Sequence, residues 1–365
     1  MPGDVATVVV DGFALTDGSQ LRGLGTFLRN VLGGLAAAPD LDVVVLARPA
    51  AALPEGVRRQ GLSRHDVRPK LAHLEHELRL PGDLRRGRAD VVWSPGTHPP
   101  RRCRAPLVQT LHDLTPLVFR HWAMEYEARR WERSAPRVRR ATHVVADSRS
   151  SADQAIRLLG VDPAHLEVVH LGVEPQFTPG AAEPADAPYL LYVGAWGPQK
   201  GYAEATEVIA AIAEEGVPHR LRIVGAQDEW MAARVQELVD ASPRPDRVDV
   251  VGWVDDVVDL YRGASALVFT SRAEGFGLPI LEAMACGVPV VAFDNTSVGE
   301  VLGAAGRMVT DGDVPAFAAA LRSVLADDAL RDELVAAGLE RAAQFRWDDT
   351  VARYREILRD AAATA

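Results

Sequence analysis

Residues 270–289 read TSRAEGFGLPILEAMACGVP and place two glutamates, Glu274 and Glu282, eight positions apart around a glycine-proline turn. The apolar run ALVF just before them predicts a buried strand. Pro279 suits the first turn of a helix, because its missing N–H would have no intrahelical partner there, and Gly287 suits the end of that helix. The pattern therefore predicts a strand, a loop that carries Glu274, and a helix with Glu282 in its first turns.

Carboxylates on both sides of a helix N-terminus are typical of a binding site. The exposed N–H groups and the helix dipole attract anions, while the flanking carboxylates accept hydrogen bonds from hydroxyl groups. A phosphate with a sugar on each side, as in a nucleotide-sugar, satisfies both requirements. The structural alternative is an ordinary loop charge at Glu274 and an ordinary first-turn glutamate at Glu282; it leaves the Gly-Phe-Gly-Leu-Pro between them unexplained.

The stretch EGFGLPILEAMACGVPVV at residues 274–291 resembles the signature of family 4 of the retaining nucleotide-sugar glycosyltransferases. The resemblance implies that Glu274 contacts the hydroxyls of the donor sugar and that Glu282 contacts the ribose hydroxyls of the nucleotide. It also implies a donor-binding turn whose backbone amides face the diphosphate, formed by Gly275, Phe276, Gly277 and Leu278.

A second glycine-rich segment, YLLYVGAWGPQKG at residues 189–201, reads as a buried strand, a loop and the start of a helix. Strand, glycine loop, lysine and helix together are typical of a phosphate cradle, although neither the Walker loop nor the dinucleotide fingerprint is present. The family resemblance extends here and implies that Gly194 lines the donor site and that Lys200 grips the donor diphosphate. Many members carry an arginine where this chain has Ala195, so a catalytically silent nucleotide-sugar-binding protein is an alternative.

The chain divides into two similar halves in which short apolar runs alternate with helical segments, a pattern that predicts parallel sheets. Residues 179–188 are rich in proline and predict a linker between domains at 1–178 and 189–345. The resemblance implies the GT-B fold: α/β, with two Rossmann-like doubly wound parallel-sheet domains facing across a cleft, the first binding acceptor and the second donor. It further implies that the final segment, 346–365, is a helix that returns to the N-terminal domain.

Two features of the first half add candidate site residues. Arg22-Gly23-Leu24-Gly25 precedes an amphipathic helix, and glycines permit a close approach of ligand to the backbone. By resemblance, Gly23 and Gly25 approach the diphosphate or the acceptor. His112 follows an apolar run, and by resemblance it contacts the donor sugar or positions the acceptor as a catalytic residue, together with Lys200 and Glu274. The structural alternative for His112 is a polar residue satisfied at a strand end.

Charge is distributed unevenly along a chain whose net charge is −10. Residues 1–178 carry +4 and residues 179–365 carry −14, while the segment 58–140 alone carries +10. This basic segment is either a solvated face or a docking surface for an acidic or lipid-linked acceptor, with peripheral contact to a membrane. Nucleic acid is not expected as a partner, because the overall charge is negative and no base-reading motif is present.

No metal or other cofactor is expected. Asp40-Leu41-Asp42 and Asp311-Gly312-Asp313 match the aspartate-x-aspartate pattern of metal-dependent sugar transferases, but the first flanks a turn and Asp313 suits a helix N-cap. Two cysteines cannot build a disulfide framework, and no apolar run is long enough to span a membrane, so we expect a cytoplasmic protein that also contacts the inner face of the membrane where its acceptor is lipid-linked.

The sequence as a whole predicts a retaining, metal-independent glycosyltransferase that moves a hexose from a nucleotide-diphosphate sugar to a hydroxyl acceptor in glycan, glycolipid or natural-product biosynthesis. The resemblance to bacterial O-antigen and polysaccharide mannosyltransferases favours GDP-mannose, ahead of UDP-glucose and UDP-N-acetylglucosamine. It also implies that the acceptor attacks from the leaving-group face and gives its proton to a donor phosphate oxygen. A sugar-nucleotide 2-epimerase of the same architecture is the alternative enzyme.

Overall fold

The computed structural model describes residues 5–15, 23–48, 51–61, 72–86, 88–96, 99–119, 121, 124–183, 185–225 and 229–365. The chain divides into two compact units. The first comprises residues 1–172 together with 346–365, and the second comprises residues 173–345.

The first unit is built on a seven-stranded parallel sheet in the order β3-β2-β1-β4-β5-β6-β7. Valine-rich central strands are buried on both faces, as parallel sheets covered by helices require. The strands are β1 (Ala6–Asp11), β2 (Leu41–Ala47), β3 (Arg58–Gly61), β4 (Val91–Ser94), β5 (Leu107–Leu111), β6 (His143–Ala146) and β7 (Leu166–Val168). The helices up to residue 154 are α1 (Gly23–Ala36), α2 (Ala72–Arg86), α3 (Thr115–Val118), α4 (Glu125–Val138) and α5 (Arg149–Gln154), the last continued by a π-helical turn (Ala155–Leu159).

The second unit is built on a six-stranded parallel sheet in the order β10-β9-β8-β11-β12-β13. Its strands are β8 (Tyr189–Val193), β9 (Arg220–Val224), β10 (Val248–Gly252), β11 (Ala266–Phe269), β12 (Val290–Asp294) and β13 (Arg307–Thr310). Its helices are α6 (Tyr202–Glu214), α7 (Glu229–Asp240), α8 (Val258–Arg262), α9 (Leu278–Ala285), α10 (Val298–Leu302), α11 (Val314–Ala326) and α12 (Asp328–Ala342). One hydrophobic core is formed by buried residues of all six strands and of α6, α7, α11 and α12.

The last helix, α13 (Trp347–Ala362), belongs to the first unit. It crosses α1 so closely that a Cβ on Gly34 would lie 2.5 Å from a methyl of Val351. Tyr354 is fully buried, and its hydroxyl lies 3.0 Å from Thr110 Oγ1 on β5. Apolar packing and this buried hydrogen bond therefore fix the end of the chain to the first sheet.

The prediction of two parallel-sheet α/β domains is confirmed. In each sheet the strand order reverses once, between β1 and β4 in the first unit and between β8 and β11 in the second. Ligands of open α/β sheets bind beyond the carboxyl ends of the strands at such a reversal. The loops after β8 and β11, which carry Lys200 and Glu274, therefore leave the second sheet at its expected binding edge.

None of the helices in the described part of the chain is long and apolar enough to cross a membrane.

Candidate active site

Lys200 and Glu274 form an ion pair at the carboxyl edge of the second sheet. The Lys200 ammonium donates to Glu274 Oε1 over 2.7 Å, and the two side chains are 22% and 13% exposed. They are 74 residues apart in sequence, and the pairing of β8 with β11 brings their loops together. The pair thus places a cation beside a carboxylate that can accept hydrogen bonds from hydroxyl groups, and part of each side chain is open to solvent.

The loop that carries Lys200 is locked to the loop that carries Glu274 through Gly201 and Thr270. Gly201 has a positive φ of 68°, and a Cβ there would lie only 2.0 Å from the Thr270 carbonyl oxygen. The Thr270 hydroxyl donates to the Gly201 carbonyl over 2.7 Å. Only glycine fits this crossing, which fixes the backbone beside Lys200 against the end of β11.

The glycine-proline turn behaves as its sequence predicts. Gly277 has a φ of 109° and forms the N-cap of α9, whose second residue is Pro279. The N–H groups at such a helix start have no intrahelical partners, and the dipole there is positive. Gly275 and Gly277 are buried, Leu278 is partly buried, and the Phe276 side chain packs edge-on against Phe345 with ring centroids 6.0 Å apart. The Phe276 ring therefore belongs to the core.

Glu282 lies on α9, outside the Lys200–Glu274 pair, and its partner is Tyr261 of α8. The Tyr261 hydroxyl donates to Glu282 Oε2 over 2.6 Å. Burial raises the pKa of Glu282 to about 7, and the negative charge of Glu174 acts in the same direction, while the hydrogen bond from Tyr261 opposes the increase. Burial also raises the pKa of Tyr261 well above its ordinary value, so the phenol keeps its proton and remains a donor. Glu282 is thus a carboxyl group poised to change charge near neutral pH.

In the first unit, His112 follows β5 and pairs with a carboxylate that follows the neighbouring strand β6. Its Nδ1 lies 2.7 Å from Asp147 Oδ2, and since a carboxylate only accepts, Nδ1 carries the hydrogen. Among the described residues, nothing bonds to the buried Nε2 atom. The ring packs edge-on against Phe27 with centroids 4.4 Å apart. These two contacts fix the orientation of the His112 ring.

The glycines predicted for the first unit lie at the start of α1. Gly23 is the first residue of this helix and is exposed, whereas Gly25 is buried. Phe27 follows Gly25 by two residues and contacts His112, so the structure brings the two candidate features of the first unit together. Arg22, which completes the predicted motif, lies outside the described residues.

Comparison with known sequences gives matches along most of the chain. The model described as Glycosyltransferase Family 4 matches residues 21–177, and that described as Glycosyl transferases group 1 matches residues 187–327. The D-inositol 3-phosphate glycosyltransferase 1 of Catenulispora acidiphila is 30% identical over 323 residues, which cover 78% of this chain and 74% of that protein. The chain belongs to glycosyltransferase family 4.

Another relative of this glycosyltransferase is the O-antigen chain mannosyltransferase B of Escherichia coli, 26% identical over 359 residues that cover 90% of this chain and 93% of the relative. Sucrose-phosphate synthase from Thermosynechococcus elongatus superposes with a TM-score of 0.84 at 21% identity, covering 99% of this chain and all of the other. Anabaena HepE in complex with UDP-glucose superposes with a TM-score of 0.74 at 18% identity, covering 97% and 100%. These structural likenesses show the GT-B fold.

Sequence reasoning missed several residues that shape the loop after β11 of the glycosyltransferase. Thr296 Oγ1 accepts a hydrogen bond from the Glu274 N–H over 2.9 Å, and the buried Ser297 hydroxyl donates to the Phe276 carbonyl over 2.8 Å. Thr296 has a φ of 35°, which is rare for a β-branched residue and is found where surrounding structure imposes strain, often at ligand sites. These residues directly follow β12. Because ligands of open α/β sheets bind beyond the carboxyl ends of the strands, their position in the sequence could have identified them.

Sequence reasoning also missed Asp147 and Tyr261, the partners of His112 and Glu282. Asp147 directly follows β6, which pairs with the strand before His112. The same strand-end rule therefore points to it once the strand order is known. Tyr261 sits on a five-residue helix with no motif of its own, and its sequence carries no signal for the contact.

Proposed function

We propose that this glycosyltransferase transfers a hexose from a nucleotide-diphosphate sugar to a hydroxyl group, with retention of anomeric configuration and without a metal ion. The observation that carries the proposal is the Lys200–Glu274 pair beside the turn that starts α9. It combines a cation, a helix N-terminus and a carboxylate. These are the groups that a diphosphate attached to a sugar requires.

The diphosphate is the leaving group, and we assign Lys200 and the turn at residues 275–278 to it. Negative charge grows on the diphosphate as the glycosidic bond breaks, so a fixed ammonium and preorganised amides stabilise the transition state more than the ground state. Lys200 supplies the positive charge that a metal ion supplies in other transferases. Ala195 offers no second cation, which makes Lys200 the main charged contact in this proposal.

We propose that the two glutamates bind the hydroxyl groups of the donor. We assign the hexose hydroxyls to Glu274, because its carboxylate lies 2.7 Å from the ammonium assigned to the diphosphate. The ribose hydroxyls are assigned to Glu282, whose second oxygen remains to accept while Tyr261 holds Oε2. His112, through its Nε2 acceptor, is assigned to positioning a hydroxyl of the sugar or of the acceptor.

Mannose is the first choice of sugar. The name of the Escherichia coli relative gives mannose as the transferred sugar, which supports GDP-mannose, whereas the complex of HepE with UDP-glucose supports UDP-glucose as second choice. The basic segment 58–140 suits an acidic or lipid-linked acceptor at the cytoplasmic face of a membrane.

A panel of GDP-mannose, UDP-glucose and UDP-N-acetylglucosamine tests the function. The protein is incubated with each donor, and released nucleotide and sugar identity are followed by chromatography. Release of nucleotide diphosphate with transfer to an acceptor or to water supports the proposal. Interconversion of nucleotide-sugars without release would show an epimerase, and binding alone would show the silent protein that Ala195 suggests.

A further inference from the structure

The first unit contains a cavity of about 910 Å³ whose lining includes seven arginines. They come from α2 and the segment just after it, from the loop before β5, and from the end of α4 and the turn that follows. None of the described lining residues is an aspartate or a glutamate. In a chain whose net charge is −10, this is a local concentration of positive charge.

The cavity lies at the amino edge of the first sheet, away from His112. Its lining residues Ala89, Ala105 and Thr142 come just before β4, β5 and β6, whereas His112 follows β5. A five-residue strand is about 16 Å long, so roughly that distance separates the cavity from the carboxyl edge. The cavity is therefore a separate site, and binding there does not depend on the proposed transfer reaction.

Helix structure explains only some of these arginines. Cations are favourable near helix C-termini, and Arg85 Nε donates to the Pro81 carbonyl over 3.1 Å, while Arg137 Nη1 donates to the Pro99 carbonyl over 3.0 Å. Arg102 and Arg104, in contrast, lie in a loop that ends no helix. Their place in the cavity has no comparable explanation from secondary structure.

Several cavity arginines also lack a counter-charge. Within the described ranges of the chain, Arg88, Arg102, Arg104 and Arg140 form no ion pair with a carboxylate. Elsewhere in the same unit arginines do find such partners; for example, Arg355 donates to Asp40 Oδ1 over 2.8 Å. These four arginines therefore leave positive charge in the cavity that no carboxylate of the described residues offsets.

The cavity has a strained rim and an apolar floor. Arg88 adopts a left-handed backbone with a φ of 47°, a strained conformation for a residue other than glycine that is found at ligand clamps. Leu84, Val92 and Leu107 are buried beneath the arginines. Because this floor excludes water, anions held at the rim are screened less than on an open surface.

We propose that this cavity binds a ligand that carries two or more phosphate groups. Guanidinium groups bind phosphate oxygens through paired N–H donors, and seven of them around one cavity exceed what a single anion can use. The ligand is either a soluble oligophosphate or the head group of a phosphate-rich lipid. Both sources present the same chemistry to the arginines.

Two binding measurements on the full chain distinguish the sources. Inorganic tripolyphosphate is titrated by calorimetry, and vesicles of phosphatidylcholine with or without cardiolipin are used for co-sedimentation. Both are carried out in a Lys200→Ala background, which removes the main charged contact proposed for a diphosphate in the second unit. The test variant adds Arg102→Gln and Arg104→Gln. The matched control adds Arg133→Gln and Arg157→Gln, which remove two exposed arginines of the same unit that do not line the cavity.

We expect binding that weakens about tenfold or more in the test variant and stays within about twofold in the control. If tripolyphosphate binds and its binding is lost in the test variant but not in the control, a soluble oligophosphate is a sufficient ligand. If the protein sediments with cardiolipin vesicles but does not bind tripolyphosphate, the ligand is the lipid head group. Absence of both, or an equal loss in the control variant, overturns the proposal. Near-ultraviolet circular dichroism of each variant shows whether its folding is intact.

Discussion

Protonation of Glu282 should govern nucleotide binding, and the Glu282→Gln substitution isolates it. The pKa of about 7 means that about half of the free protein carries a proton on Glu282 at pH 7. Ribose hydroxyls donate most strongly to the ionised carboxylate, so a bound nucleotide favours loss of this proton. We therefore expect GDP to bind more weakly as the pH falls through 7.

The size of the effect follows from the linkage of one proton. If GDP binds only the ionised form, its affinity at about pH 6 is roughly tenfold lower than at about pH 8, and about half a proton is released per GDP bound at pH 7. Above about pH 8 this group contributes no further change. Glu282→Gln cannot release the proton, so the variant lacks this part of the pH dependence.

Calorimetric titration of GDP in two buffers with different ionisation enthalpies measures proton release directly. The terminal phosphate of GDP itself titrates near pH 6, so the quantity of interest is the difference between wild type and Glu282→Gln. The reasoning is refuted if the two proteins release equal numbers of protons, or if the affinity of the wild type rises as the pH falls.

The Tyr261→Phe substitution removes the hydroxyl whose hydrogen bond lowers the pKa of Glu282. We therefore expect GDP affinity at pH 7 to fall about three- to tenfold and to recover at about pH 9. Equal losses at both pH values would argue for a packing defect. Burial disfavours the ionised form of Glu282, so ionisation destabilises the fold fully above about pH 7 and not at all below the unfolded pKa of 4.5. In urea unfolding, Glu282→Gln should therefore raise the free energy of unfolding by up to about 3 kcal/mol at pH 8 and leave it unchanged at acid pH. Gly201→Ala should lower the free energy of unfolding by about 2 to 4 kcal/mol, because a Cβ would collide with the Thr270 carbonyl. The matched control is Gly216→Ala, for which we expect about 1 to 2 kcal/mol, since Gly216 has a similar φ of 86° but open space around it. Equal losses in the two variants would show that the contact with Thr270 does not matter.

The sequence predicted much of the fold because buried parallel strands leave long apolar runs. It failed at the two edges of the first sheet, where burial is incomplete. Strand β3 reads RRQG and is largely exposed, and β7 has three partly buried residues, so neither has an apolar pattern. Strand β12 begins at Val290, although the apolar run VPVVA starts at Val288, because the Val288 N–H still bonds to the Ala283 carbonyl and completes the end of α9.

The sequence singles out some residues of the candidate site but not their arrangement. Glycine-rich turns and the lysine single out the loops after β8 and β11. That Lys200 and Glu274 touch depends on the adjacency of those two strands, and sequence periodicity does not specify strand order. The contact between His112 and Asp147 needs the same information for β5 and β6.

The central claim is that the Lys200 ammonium stabilises the departing diphosphate. The most direct test is the single-turnover rate of nucleotide diphosphate release by Lys200→Ala at saturating donor, with the donor chosen from the panel and Lys200→Arg as the charge-conserving control. We expect Lys200→Ala to lose about 2 to 4 kcal/mol of transition-state stabilisation, roughly thirty- to a thousand-fold in rate, and Lys200→Arg to recover part of it. A folded Lys200→Ala protein that releases nucleotide at the wild-type rate would contradict the account.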